Sequence, residues 1–233
     1  MWLSRNFIMA AIALSLVACS SKSDNQIAIG KANFKGFGCT TCHQVGSEAG
    51  SGGILGPDLT FIGFRKSPEW LDLWLKSPEG WKHNTLMPNF YLKEPIRKSL
   101  VAYLSSLKGE SYADGRAPWD DPALKEDLVK KGQIIFTHAG CVGCHGVAGS
   151  GGQPNNNVPG GLIPSLIKAS DGYSKEELAA KILSGVPQSS PEDPTAPPPM
   201  IHMPAWSEKL SKEEVEALVE YIYSLNPHKA EVW

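Results

Sequence analysis

Two short stretches carry the residue types best able to do chemistry: Cys39-Thr40-Thr41-Cys42-His43 and Cys141-Val142-Gly143-Cys144-His145. Cys-x-x-Cys-His is the attachment signature of c-type haem. Its two thiols are spaced to reach the two vinyl groups on one side of a porphyrin, and the adjoining imidazole is placed under the iron as proximal ligand. A redox dithiol, a structural zinc site or a disulfide could account for one such stretch, but two in one exported chain favour haem. The pair therefore predicts two covalent haem c groups per chain.

The elements that must position these groups follow from length and composition. A chain of 233 residues, less an N-terminal targeting segment, suits two small domains of about 100 residues each. A domain of that size can bury a core, and a covalently held porphyrin adds apolar surface for its helices to pack against. The 23 glycines and 18 prolines suit helices joined by long loops around a flat group. A formal net charge of -2 argues against nucleic-acid binding. The total hides an asymmetry. Residues 26–108 hold 10 Lys/Arg against 6 Asp/Glu and residues 122–227 hold 8 against 12, so the halves are +4 and -4. Such an imbalance is usually a solvated surface, and its sharper reading is steering of different redox partners to the two ends.

The second motif lies 102 residues after the first, and Gly30, Phe34 and Gly38 recur at the same offset as Gly132, Phe136 and Gly140. This is an internal duplication. Each half resembles a class I cytochrome c domain, and together they resemble the dihaem members of that family. The resemblance implies an all-α fold of two tandem domains, each a small helical bundle wrapped around its haem. Domain 1 is placed at residues 26–108, a polar linker at 109–121, domain 2 at 122–227 and a tail at 228–233.

Further site residues come from the same resemblance. Gly-rich loops follow each motif, Gly46 to Gly56 and Gly146 to Gly161, and lead to Pro57 and Pro164. In the family a proline here offers its carbonyl to Nδ1 of the ligating histidine, which assigns that role to Pro57 for His43 and to Pro164 for His145. The family's Met-Pro motif appears as Met87-Pro88 and Met203-Pro204, making Met87 and Met203 the expected sixth ligands. His83 competes with Met87, and Met200, His202 and His138 compete with Met203.

Helices are expected around these positions. Ser67-Pro68-Glu69 is a capped start, followed by Trp70, Leu71, Trp74 and Leu75 on one apolar face read as core. Ser174-Lys175-Glu176-Glu177 and Ser211-Lys212-Glu213-Glu214 are capping boxes. The final helices of the two halves carry the related runs Leu-Val-Ala-Tyr-Leu-Ser-Ser-Leu and Leu-Val-Glu-Tyr-Ile-Tyr-Ser-Leu. The proline-rich run from Pro187 to Pro199 fits neither helix nor sheet and reads as an extended flap near the Met203 side, either shielding it, the preferred reading, or offering a docking strip.

Residues 1–18 read as a signal peptide whose apolar run is too short to span a membrane. Leu16-Val17-Ala18-Cys19 resembles the lipobox of bacterial lipoproteins, which makes Cys19, the fifth and odd cysteine, a lipidation site with residues 19–25 as lipidated head and polar tether. The expected location is the periplasmic side of a bacterial membrane, with Ser20 favouring the outer one by resemblance. The resemblance implies a single-electron carrier rather than an enzyme, working between a redox donor and acceptor, free or as a subunit of a respiratory complex. A dihaem peroxidase-like enzyme and a haem-based ligand sensor are the alternatives.

Overall fold

The computed structural model describes residues 23–46, 55–109, 116–153, 155, 160–186 and 202–227. No strand occurs among the described residues, so the fold is all-α; Val186 and Met203 pair in an isolated antiparallel bridge. Helix α1 covers residues 23–36. It is followed by α2 (Ile62–Arg65), α3 (Pro68–Lys76), α4 (Pro78–Trp81) and α5 (Glu94–Ser106). The second half contributes α6 (Leu128–His138), α7 (Val142–His145), α8 (Ala169–Gly172), α9 (Lys175–Ser184) and α10 (Lys212–Ser224).

Local chemistry sets the helix starts. The Ser67 hydroxyl accepts from the Trp70 backbone N–H, with Pro68 at the first helical position. At α9 and α10, Ser174 with Glu177 and Ser211 with Glu214 form reciprocal capping boxes.

In each half the first and last long helices cross at a glycine. A Cβ on Gly30 of α1 would lie 2.0 Å from the Ser99 carbonyl oxygen of α5, and one on Gly132 of α6 would lie 1.9 Å from that of Ala217 in α10. Only a residue without a side chain lets the two backbones meet there. One turn further on, Phe34 packs on Tyr103 at 5.5 Å between ring centroids, and Phe136 packs on Tyr221 at 5.4 Å. The duplicated sequence therefore folds into a duplicated crossing. Around the first lie Leu71, Leu75, Leu100 and Leu104, and around the second Ile135, Leu178, Val215 and Leu218, all buried.

The two cores are not insulated from one another. Phe61, at the head of α2, is buried in the second half's core, stacked on Trp119 at 6.3 Å and edge-on to Trp206 at 5.9 Å. Phe64 meets the same Trp206 at 5.1 Å.

Two boundaries are corrected. Residues 109–121 are not all linker: Trp119 is 3% exposed in the second core, and its indole N–H donates to the Glu214 carboxylate. A 3-10 turn over Pro118–Asp120, closed by the Asp120 carboxylate on the Ala117 N–H at 2.9 Å, carries the indole inward. Residues 23–25, placed in the tether, are already helical. Residues 1–18, Cys19, Pro187–Pro199, Met200 and the 228–233 tail lie outside the described residues.

Candidate haem sites

Each Cys-x-x-Cys-His stretch is wound into a helical turn, which places its two thiols and its imidazole at the i, i+3 and i+4 positions of one face. Gly38 leaves α1 with φ +71°, and Gly140 leaves α6 with φ +81°. The His43 N–H then donates to the Cys39 carbonyl at 2.9 Å, and the His145 N–H donates to that of Cys141 at 2.9 Å. None of the four cysteines is in a disulfide, and all are half-buried. Burial pushes the Cys141 thiol up to about 12, so it stays protonated in the haem-free chain.

At the first site His43 Nδ1 lies 2.9 Å from the Pro57 carbonyl oxygen. A carbonyl can only accept, so Nδ1 carries the proton and Nε2 keeps its lone pair. Burial lowers the pKa of this imidazole, partly opposed by the Pro57 hydrogen bond and the Asp58 charge. Gly56, just before Pro57, lies against the ring: a Cβ on it would sit 2.6 Å from His43 Cε1. The Gly56 N–H is tied back to the Cys42 carbonyl at 3.1 Å.

The second site is built differently. His145 Nδ1 is buried without a hydrogen-bond partner among the described residues, and burial lowers its pKa with nothing opposing. Pro164 does not take this proton. The reason is the length of the loop: 19 positions separate His145 from Pro164, against 14 between His43 and Pro57. The longer loop interposes Gly151, whose N–H donates to the His145 carbonyl at 2.7 Å and whose Cβ, if present, would meet the Pro164 carbonyl carbon at 2.7 Å.

Met87 packs with Cys39 on the first core, and Met203 packs with Cys141 on the second. The Trp74 indole N–H donates to Met87 Sδ at 3.0 Å, and Trp70 stacks on Trp74 at 5.3 Å with planes 11° apart. This pair, read from sequence as plain core, thus reaches the sulfur. Met203 is held by its backbone: the Val186 N–H donates to its carbonyl at 2.9 Å, and Gly185 turns there at φ +64°. His83 and His202 are exposed, and His138 directs Nδ1 at the Asp58 carboxylate at 2.9 Å.

Sequence reasoning missed Asp58, Arg65 and Lys66, all buried where the halves meet. Arg65 Nη1 donates to the Gly140 carbonyl at 2.8 Å, and Lys66 Nζ lies 3.6 Å from Cys144 Sγ. The available signal was weak, an Arg-Lys pair ending the apolar run Phe61-Ile62-Gly63-Phe64.

The second half carries a Cys-x-x-Cys-His turn, the Met203-Pro204 segment and the glycine-crossed helix pair. Residues 129–226 match the cytochrome c family. A cytochrome c domain implies a covalent haem c. Two Helicobacter pylori proteins, one from strain 52, are each named Cbb3-type cytochrome c oxidase subunit CcoP. They are 26% identical to this chain over 191 residues, covering 81% of it and 55% of each relative. The chain thus spans about half the length of these curated relatives. The aligned stretch is too long to fall within either half alone. Among solved structures, a chain of the Kuenenia stuttgartiensis reducing HAO-like protein complex is 20% identical, with coverage of 85% of this chain and 96% of that one, at a TM-score of 0.31.

Proposed function

We propose that this chain is a dihaem c-type cytochrome that passes single electrons between redox partners. The observation that carries the reading is the repeated crossing. The run Gly30, Phe34, Gly38, Cys39-x-x-Cys42-His43 sits on the same glycine-crossed helix pair as its copy inside the cytochrome c match. When bound, haem c supplies a one-electron iron couple. Cys39 and Cys42, and Cys141 and Cys144, would hold the porphyrin through thioethers. His43, its Nδ1 proton engaged by Pro57, presents Nε2, and His145 is the corresponding ligand in the second half. Met87 and Met203 present their sulfurs from the opposite loops. With the sulfurs of Met87 and Met203 as further ligands, no coordination position would be left for a substrate, and the chain would carry electrons rather than catalyse a reaction.

The CcoP relatives support a place in a respiratory complex, with a donor and an acceptor drawn to the oppositely charged halves. Attachment to the periplasmic face of a bacterial membrane through lipidated Cys19, on the outer membrane by its Ser20, completes the proposal. Haemochrome assay of protein matured in a cytochrome-competent host is expected to give two haems per chain. Oxidised protein should show a sulfur-to-iron charge-transfer band, with one contribution lost in each of Met87→Ala and Met203→Ala and a lower potential at that haem. One haem or none overturns the reading. High-spin haem with peroxide turnover would make the chain an enzyme, and displacement of a methionine by a small gas would make it a sensor.

A further inference from the structure

Arg65 belongs to the first half by sequence and to the second half's haem motif by contact. It closes α2 and is 8% exposed. Its Nη1 donates to the Gly140 carbonyl at 2.8 Å and its Nη2 to the Asp58 carbonyl at 3.3 Å. Nε is buried and makes no hydrogen bond among the described residues. The guanidinium lies against the attachment turn itself. A Cβ on Gly140 would meet Arg65 Cζ at 2.4 Å, and one on Gly143 would lie 3.4 Å from Nη1. A planar, permanently charged fork bridges two carbonyls from two nitrogens held in fixed geometry, which the single, freely rotating ammonium of a lysine does not reproduce.

The charges around it do not cancel. Arg65 and Lys66 are both buried, and the facing carboxylate is that of Asp58. Its oxygens are occupied by the Thr60 N–H at 2.7 Å and by His138 Nδ1 at 2.9 Å. Lys66 Nζ lies by Cys144 Sγ and 4.5 Å from the centroid of the Trp70 ring. A thioether at Cys144 can no longer carry negative charge, so attachment at that sulfur supplies no counter-charge to Lys66.

We propose that Arg65, seconded by Lys66, is a positioning and potential-setting residue for the second haem, supplied by the first half. It clamps the Gly140–Cys144 turn to Asp58, the residue next to the His43 acceptor Pro57, and fixes one attachment motif relative to the other. It also holds a permanent cation beside the second haem, which favours Fe(II), the form with one positive charge less, over Fe(III). The inference rests on the dihaem reading and adds a residue outside both motifs to it.

The test is a redox titration of the two-haem protein, with haem content measured on the same samples. A unit charge in a partly desolvated site changes the Fe(II)/Fe(III) ratio about tenfold, which for one electron is about 59 mV. Arg65→Gln should lower one potential by about that amount, at the haem whose potential Met203→Ala also lowers. Arg65→Lys keeps the charge but not the fork, so it should melt earlier while its potential stays near the parent's. A purely structural role would move the melting of both variants and the potential of neither. If Arg65→Gln gives no folded protein, Lys66→Gln is read instead, with a shift in the same direction expected. Unchanged potentials in every variant that folds, or an equal shift in Arg65→Gln and Arg65→Lys, overturn the inference alone. Fewer than two haems in the parent overturn the dihaem reading and this inference with it.

Discussion

Gly30→Ala puts the duplicated helix crossing to a direct test. The new Cβ would stand 2.0 Å from the Ser99 carbonyl oxygen and 2.7 Å from Tyr103 Cβ. Ordinary contact begins at 3.4 Å, so α1 and α5 must part by about 1.4 Å. The obstacle is main chain and cannot rotate away. Overpacking of this kind costs about 1–3 kcal/mol, and a backbone obstacle places it at the upper end. Alanine returns about 1 kcal/mol of helix propensity. The net expectation is about 2 kcal/mol of destabilisation, or roughly 4–8 °C in melting temperature for a chain of this size. Gly36→Ala is the internal control, since it lies in the same helix with nothing within 4 Å of the added methyl. It should be neutral or stabilising by up to about 1 kcal/mol. Thermal and urea denaturation followed by far-UV circular dichroism compares the two. Gly30→Ala melting at or above Gly36→Ala would refute the crossing geometry. Gly132→Ala should repeat the loss in the second half, where the carbonyl is 1.9 Å away.

Trp119→Ala empties a buried site shared with Phe61 and should cost about 3–5 kcal/mol; a loss under 1 kcal/mol in urea denaturation would return residues 116–121 to the linker. Asp58→Asn removes the buried carboxylate that accepts from the Thr60 N–H and faces His138 Nδ1 across the seam, and should cost about 1–3 kcal/mol by the same assay, whereas an unchanged midpoint would mean that this contact contributes nothing to the seam. Asp72 links α3 to α5 through Arg97 at 2.9 Å. Burial raises the pKa of Asp72, but the Arg97 hydrogen bond and charge, with Lys98, outweigh it and hold the carboxyl below its usual range. A depressed carboxylate contributes stability above its unfolded pKa of about 3.9 and loses it as pH falls through the lower folded value. Asp72→Asn should therefore be less stable by up to about 1 kcal/mol at pH 7, with the gap closing on acidification; a gap that persists in acid would contradict this.

The haem motifs, the caps and the duplication were legible because their chemistry is local. A Cys-x-x-Cys-His run needs only one helical turn to bring its groups to one face, and a Ser-x-x-Glu box closes on itself. The crossing glycines were visible as a repeat, although their partners at Ser99 and Ala217 were not, because those lie far along the chain. The two prolines show where a shared cue parts company with geometry. Pro57 and Pro164 occupy matching places, yet the five extra residues before Pro164 interpose Gly151, and only Pro57 meets its histidine.

Sequence by itself determined the two Cys-x-x-Cys-His turns, the two Met-Pro segments and the helices that frame them. The tertiary structure alone decided that the halves share a seam, with Phe61 in its neighbour's core, Trp119 between them and Arg65 laid against the other half's haem motif. Periodicity and spacing record what a segment does within a few turns of itself. A buried cation, by contrast, takes its meaning from the backbone oxygens that folding brings to it, here from a glycine 75 residues away.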